Sequence, residues 1–224
     1  MKLRKLKNAD YLLIAANLLP VFGVWVLDWD PIEAFVAYAF ETLLIGGITV
    51  LKLLISTLYK KKDTWYNGEH RQEVSGLFFI LFFIVHFGIF VGVQMAIFSS
   101  VTGLAEGHGP FYFVTHFWYF LNPEVKLMMA SFLVGYLAQD VIPFVLNNEY
   151  KTTPMIKTMF QPYGRIFVQQ LTVILGSMFI VLGGRVIFVL VFALVKIFFE
   201  LLVNYRAILD KSMVDMEKEA KTRV

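Results

Sequence analysis

The stretch that decides the fold runs from Pro31 to Tyr59 and reads PIEAFVAYAFETLLIGGITVLKLLISTLY. A helix rises ~1.5 Å per residue, and the ~30 Å hydrocarbon core of a bilayer takes roughly 20 apolar residues to cross. This stretch crosses with enough left over to tilt. Past its first turn it carries two ionisable side chains, Glu41 and Lys52. A charge at the bilayer centre costs at least ~2.5–3.5 kcal/mol. Such residues persist only where they find a partner, reach water or change protonation state.

Working outward, five more stretches have the same character: 11–26, 74–100, 125–147, 166–182 and 186–204. The expected fold is all-α, a polytopic integral membrane helix bundle with six transmembrane helices. It forms a single transmembrane domain over 1–224 that ends in a charged cytoplasmic tail at 205–224. Composition agrees. The chain is 58% hydrophobic and 17% charged, against about 45–50% and about 25% for a soluble domain. Its 23 Phe are hard to bury in a small soluble core and easily placed against lipid. With no cysteine there is neither disulfide nor thiolate chemistry.

The pI near 9.0 does not point to nucleic acid, because the basic residues cluster at the ends of apolar runs. Lys2, Arg4, Lys5 and Lys7 precede the first run; Lys60, Lys61, Lys62 and Arg71 follow the second. Lys151, Lys157 and Arg165 lie between the fourth and fifth, and Arg206, Lys211, Lys218, Lys221 and Arg223 fill the tail. Sixteen of the twenty basic residues thus share one side, while Lys126 and Arg185 lie on the other. Under the positive-inside rule both termini are expected in the cytoplasm. The first run follows a basic segment like a signal-peptide n-region, but no small-x-small cleavage site follows it, so a retained helix is expected.

On the outer side, Asp28-Trp29-Asp30-Pro31 reads as a tight acidic turn, and Gly183-Gly184-Arg185 as a minimal connection. The run from Phe111 to Phe120 is too short to span and rich in Trp and Tyr, so it predicts a short outer interfacial or re-entrant helix. Met155–Gln161 predicts a second short interfacial segment on the inner face.

Depths follow from the topology. Glu41, His86 and Lys196 fall near the midplane; Asp140, Gln139, Gln170 and Glu200 fall in the inner half. Glu41 and Lys52 are eleven apart, about three turns, and share a face with Tyr38 and Ile48. Lys196, Glu200 and Asn204 form a polar stripe at i, i+4, i+8. Pro143 kinks the fourth span near Asp140. Each has a bland counterpart. Lys196 and Glu200 neutralise each other, His86 packs between helices, Lys52 snorkels to the inner surface, and Asp140 pairs with Arg165. Gly88 and Gly92 read as a small-xxx-small packing face.

Phosphate loops, dinucleotide fingerprints, zinc-protease helices and nucleophile elbows are missing from the sequence. His86, His108 and His116 are weak candidates for metal ligands, and no cofactor is expected. Glu41 with Gly46, the segment Phe82–Phe90 around His86, Pro162-Tyr163-Gly164-Arg165-Ile166, and Lys196 with Glu200 together resemble an uncharacterised family of bacterial multi-pass membrane proteins, domain of unknown function number 6498. The resemblance implies a six-helix membrane fold in the bacterial plasma membrane, and no activity.

The leading functional expectation is transport of a small solute or ion, coupled to protons, through a polar site made by Glu41, His86, Asp140, Gln170, Lys196 and Glu200. In that reading Glu41 and His86 form an outer relay, Lys196 a charge gate, and Asp140 with Glu200 an inner relay. A membrane-embedded enzyme or metal-binding protein is one alternative, using the same groups as ligands or acid–base residues. A structural subunit or assembly factor of a membrane complex is the other. The partner common to all three is the lipid bilayer, with a homo-oligomer or larger complex possible and nucleic acid excluded.

Overall fold

The structure is a computed structural model and describes residues 8–67, 70–104, 108, 112–164, 166–168, 170, 183–202, 211–212 and 214–215. Helix α1 (Asn8–Val26) ends where Leu27 N and Trp29 N both donate to Gly23 O, at 3.1 and 3.0 Å. A Cβ on Gly23 would lie 2.0 Å from Cε3 of Trp29, so glycine is what lets the indole close over the helix end. After Asp28, at φ 55°, Asp30 caps α2 (Pro31–Lys60) by accepting from Ile32 N at 2.9 Å. Pro31 at the first helical position donates no hydrogen bond that the helix needs.

Helix α2 is the spine of the fold and packs against α1, α3 (Gly76–Thr102), α5 (Pro123–Tyr136) and the last described helix. Its approach to α3 is set by Gly46, where a Cβ would lie 2.4 Å from the ring of Phe87. Gly88, expected to be a close-packing residue, is different: a Cβ there would meet nothing within 4 Å.

Between α2 and α3 stands a hairpin of β1 (Lys62–Asn67) and β2 (His70–Ser75), paired antiparallel from Lys62 opposite Ser75 to Asn67 opposite His70. The charged loop expected here is therefore a strand pair, and Val74 belongs to its ladder opposite Asp63 rather than to the third span. The anchor is Trp65, which packs edge-on against Phe78, Phe79 and Phe82 of α3 at ring distances of 5.1, 5.8 and 5.2 Å. Asp63 ties the hairpin down further: its Oδ2 accepts from Lys60 Nζ at 3.0 Å and from Met155 N at 2.8 Å.

The aromatic outer segment is two short turns, α4 (Tyr112–Thr115) and a 3-10 helix (Phe117–Phe120), separated at His116. They do not form one interfacial helix. Phe113 is fully buried, stacked 4.9 Å from Phe40, while Trp118 and Tyr119 point outward. Likewise α8 (Met155–Phe160) is part of the core rather than interfacial, with Met155, Ile156 and Met159 buried against α2 and α3.

The fourth apolar stretch is not one regular helix. Helix α5, opened by the Asn122 cap and Pro123, passes into a π-turn (Leu137–Val141) and then α6 (Ile142–Leu146), with α7 (Glu149–Thr152) following. Pro143 supplies the cause. It offers no N–H to Gln139 O, and its ring crowds that carbonyl, so the turn before it widens. Ile142 N accordingly donates to Leu137 O, five residues back.

The last described helix, α9 (Arg185–Leu202), lies against α1 and α2. Pro31–Lys60, Gly76–Ser100 and Pro123–Leu146 are long and apolar enough to cross a membrane; Asp10–Val26 and Val189–Phe199 are shorter apolar helices. The expected fifth span, 166–182, and the tail, 205–224, fall almost wholly outside the described residues.

Candidate functional site

The buried face of α2 carries two opposite charges, and each meets its opposite on another helix. Glu41 is fully buried. One carboxylate oxygen, Oε2, accepts from Lys196 Nζ of α9, and the other, Oε1, accepts from the Tyr136 hydroxyl of α5 at 2.5 Å. Lys196 also lies over the rings of Phe132 and Tyr38, at 4.6 and 5.1 Å. Three turns on, Lys52 donates to Asp140 Oδ1 of the π-turn at 3.0 Å and to Gln161 Oε1 at 3.1 Å, with its ammonium 4.8 Å from the Phe144 ring.

These two sites share a design. Each ammonium meets a carboxylate and an aromatic face, so its charge is met by opposite charge and by ring quadrupoles. The π-turn makes the second site possible. Its neighbours Gln139 and Asp140 reach different helices, since Gln139 Nε2 donates to Asp10 Oδ1 of α1 at 2.7 Å. Beside the Lys52–Asp140 pair lies a cavity of about 20 Å³, lined by polar Thr49, Thr158 and Gln161. That is room for about one water molecule, with enough polar partners to hold it.

His86 stands apart. Its Nδ1 lies 2.7 Å from the Tyr163 hydroxyl, and its ring stacks on Phe82 at 5.4 Å. Burial pushes the Tyr163 phenol up to about 12, so the phenol keeps its proton.

The geometry redraws several expected pairings. Glu41 and Lys196 do meet, but His86 does not join them. Lys196 pairs with Glu41 across helices; its expected partner along its own helix, Glu200, has a side chain outside what is described. Lys52 is 3% exposed, so it is a buried partner and not a snorkelling one. Asp140 takes Lys52 as an ion-pair partner; the expected partner Arg165 lies outside the described residues. Gln170 is half-buried and joins neither pair. His108 and His116 lie on either side of the Tyr112 ring, stacked at 4.0 and 4.3 Å, and His116 Nδ1 contacts the Thr115 hydroxyl at 2.9 Å. Among the described residues, no group of three His, Asp or Glu is placed to hold a metal ion.

Tyr136, Gln161 and Asp10 are the participants that sequence reasoning did not single out. Only Tyr136 left a trace, one helical turn before Asp140.

The fold and the paired charges define a mostly helical protein with membrane-length apolar helices organised around a buried polar spine. The chain belongs to the Family of unknown function (DUF6498), which matches residues 2–220. No curated protein and no solved structure matches it.

Proposed function

We propose that this chain is an integral protein of the bacterial plasma membrane that carries a small solute or ion, coupled to protons. It has six spans, with both termini in the cytoplasm. The orientation draws on the basic residues gathered at the hairpin end of the bundle. The single observation that carries the transport reading is the pair of charge stations on α2. Glu41 and Lys52 share one buried face, each ion-paired to a different helix, and the second station touches a water-sized cavity.

Protonation of Asp140 removes the charge that holds Lys52. The freed ammonium then needs another anion, either a cargo group or a different carboxylate, or it must lose its own proton. Either route couples a proton to a change in helix pairing. π-turns are frequent at sites that change shape, and this one carries Asp140.

The test is flux. Full-length protein in liposomes holding a pH-sensitive dye is given a potassium-diffusion potential and a panel of amino acids, sugars and inorganic ions. Proton movement above protein-free vesicles is expected with at least one cargo, falling to baseline in Asp140→Asn and in Glu41→Gln. Baseline behaviour of the wild type at both polarities with every cargo overturns the reading.

The complete enclosure of Glu41 favours a second reading, in which the pairs pin helix packing in a subunit of a membrane complex. In that case the wild type gives no flux, and replacing both members, Glu41→Leu with Lys196→Met, leaves the fold intact.

A further inference from the structure

A groove of about 580 Å³ runs along the outside of the bundle between α2 and α5, separate from both charge stations. Leu43, Gly47 and Leu51 line it from α2 at i, i+4, i+8. Met129 and Leu133 of α5 and Leu137 at the start of the π-turn line it with the same spacing. Among the described residues its one charged lining residue is Lys126, one turn above Met129, and Phe117 of the 3-10 helix closes the same end. The Lys126 side chain is exposed and has no ion-pair partner among the described residues.

We infer that this groove binds one acyl chain of an anionic phospholipid, with the phosphate of the headgroup on Lys126. Length supports the chain. From Lys126 to Leu137 is eleven residues, about 16 Å of helix. That is about half of the roughly 30 Å hydrocarbon core, the depth of one leaflet. Depth supports it too. A Cβ on Gly47 would meet nothing within 4 Å, so Gly47 leaves a notch in the groove floor that no protein atom fills. Charge selects the headgroup, since an ammonium at the end of an apolar slot attracts an anionic phosphate and repels a cation. The exposed Trp118 and Tyr119 beside Phe117 suit the headgroup layer and put Lys126 at phosphate depth.

The inference stands independently of transport. Purified full-length protein in detergent is titrated with dioleoyl phosphatidylglycerol or dioleoyl phosphatidylcholine and weighed intact by native mass spectrometry. Both lipids carry a phosphodiester, but the choline cation of phosphatidylcholine repels the Lys126 ammonium and the uncharged glycerol of phosphatidylglycerol does not, so one phosphatidylglycerol per chain is expected, bound about tenfold more tightly. Lys126→Gln should erase the preference between the two lipids. Gly47→Leu should weaken both lipids, while adding a better helix former in open space and so keeping the fold. Equal binding of the two lipids by the wild type overturns the inference. So does unchanged binding in both variants, or a lipid-free dimer whose interface Gly47→Leu disrupts.

Discussion

Glu41 shows what a buried charge costs and how this chain meets the cost. Its carboxylate has an ammonium on one oxygen and a phenol on the other. Removing one partner of a buried pair leaves the other uncompensated, which costs about 3–5 kcal/mol, whereas an apolar pair of similar volume is often neutral. Lys196→Met alone is therefore expected to lower the thermal midpoint in detergent sharply. Adding Glu41→Leu should recover most of the loss; a double variant as unstable as the single would show that the pair is not the determinant. Tyr163 makes a second prediction at this scale. Its phenol titrates near 12 in the folded protein against an ordinary 10.0, so the folded state holds the proton more tightly than the unfolded chain. The contribution is intact below pH 10 and is lost as pH rises from 10 to 12. A plot of thermal midpoint against pH should fall more steeply over that window in the wild type than in Tyr163→Phe.

Among the elements, the fourth apolar stretch is the one whose irregularity matters. A regular helix would space Gln139 and Asp140 about 100° apart around its axis, and the widened turn changes that angle while moving the residues that follow. Pro143→Ala returns the missing N–H and releases the crowding at Gln139 O. Regularising a helix ordinarily stabilises it. Here the expectation is the reverse, because Asp140 would leave Lys52 and Gln139 would leave Asp10. A Pro143→Ala protein with a raised thermal midpoint would show that the π-turn is incidental. The hairpin is the opposite case, an element whose charged surface hid its structure. Its strands alternate too briefly to stand out, and the pairing of β2 back onto β1 accompanies the packing of Trp65 onto α3.

At the scale of the whole molecule, the bundle has two chemically different ends. One holds the Asp28–Asp30 turn, the aromatic 3-10 helix and Asn122; the other holds the hairpin, Lys60 and the Thr153–Met155 connection. The orientation proposed above predicts that a cysteine at Gln72 is labelled by a membrane-impermeant reagent only after inverted vesicles are made. A cysteine at Tyr119 should be labelled from outside in intact cells. The reverse pattern would turn the molecule over in the membrane.

Hydropathy alone marked out the helices long and apolar enough to cross a membrane, because an apolar run of bilayer length is a local property of consecutive residues. The shared face of Glu41 and Lys52 was equally legible, since an eleven-residue interval fixes direction on any helix. Which charge meets which was not. Lys196 lies four residues from Glu200 and, through space, hydrogen-bonds Glu41, 155 positions away in the chain. Periodicity reports how a residue points from its own helix and is silent about which helix stands opposite. Only the packing decided that, through close approaches such as Gly46 on Phe87 and a proline that widened one turn to bring Asp140 to Lys52.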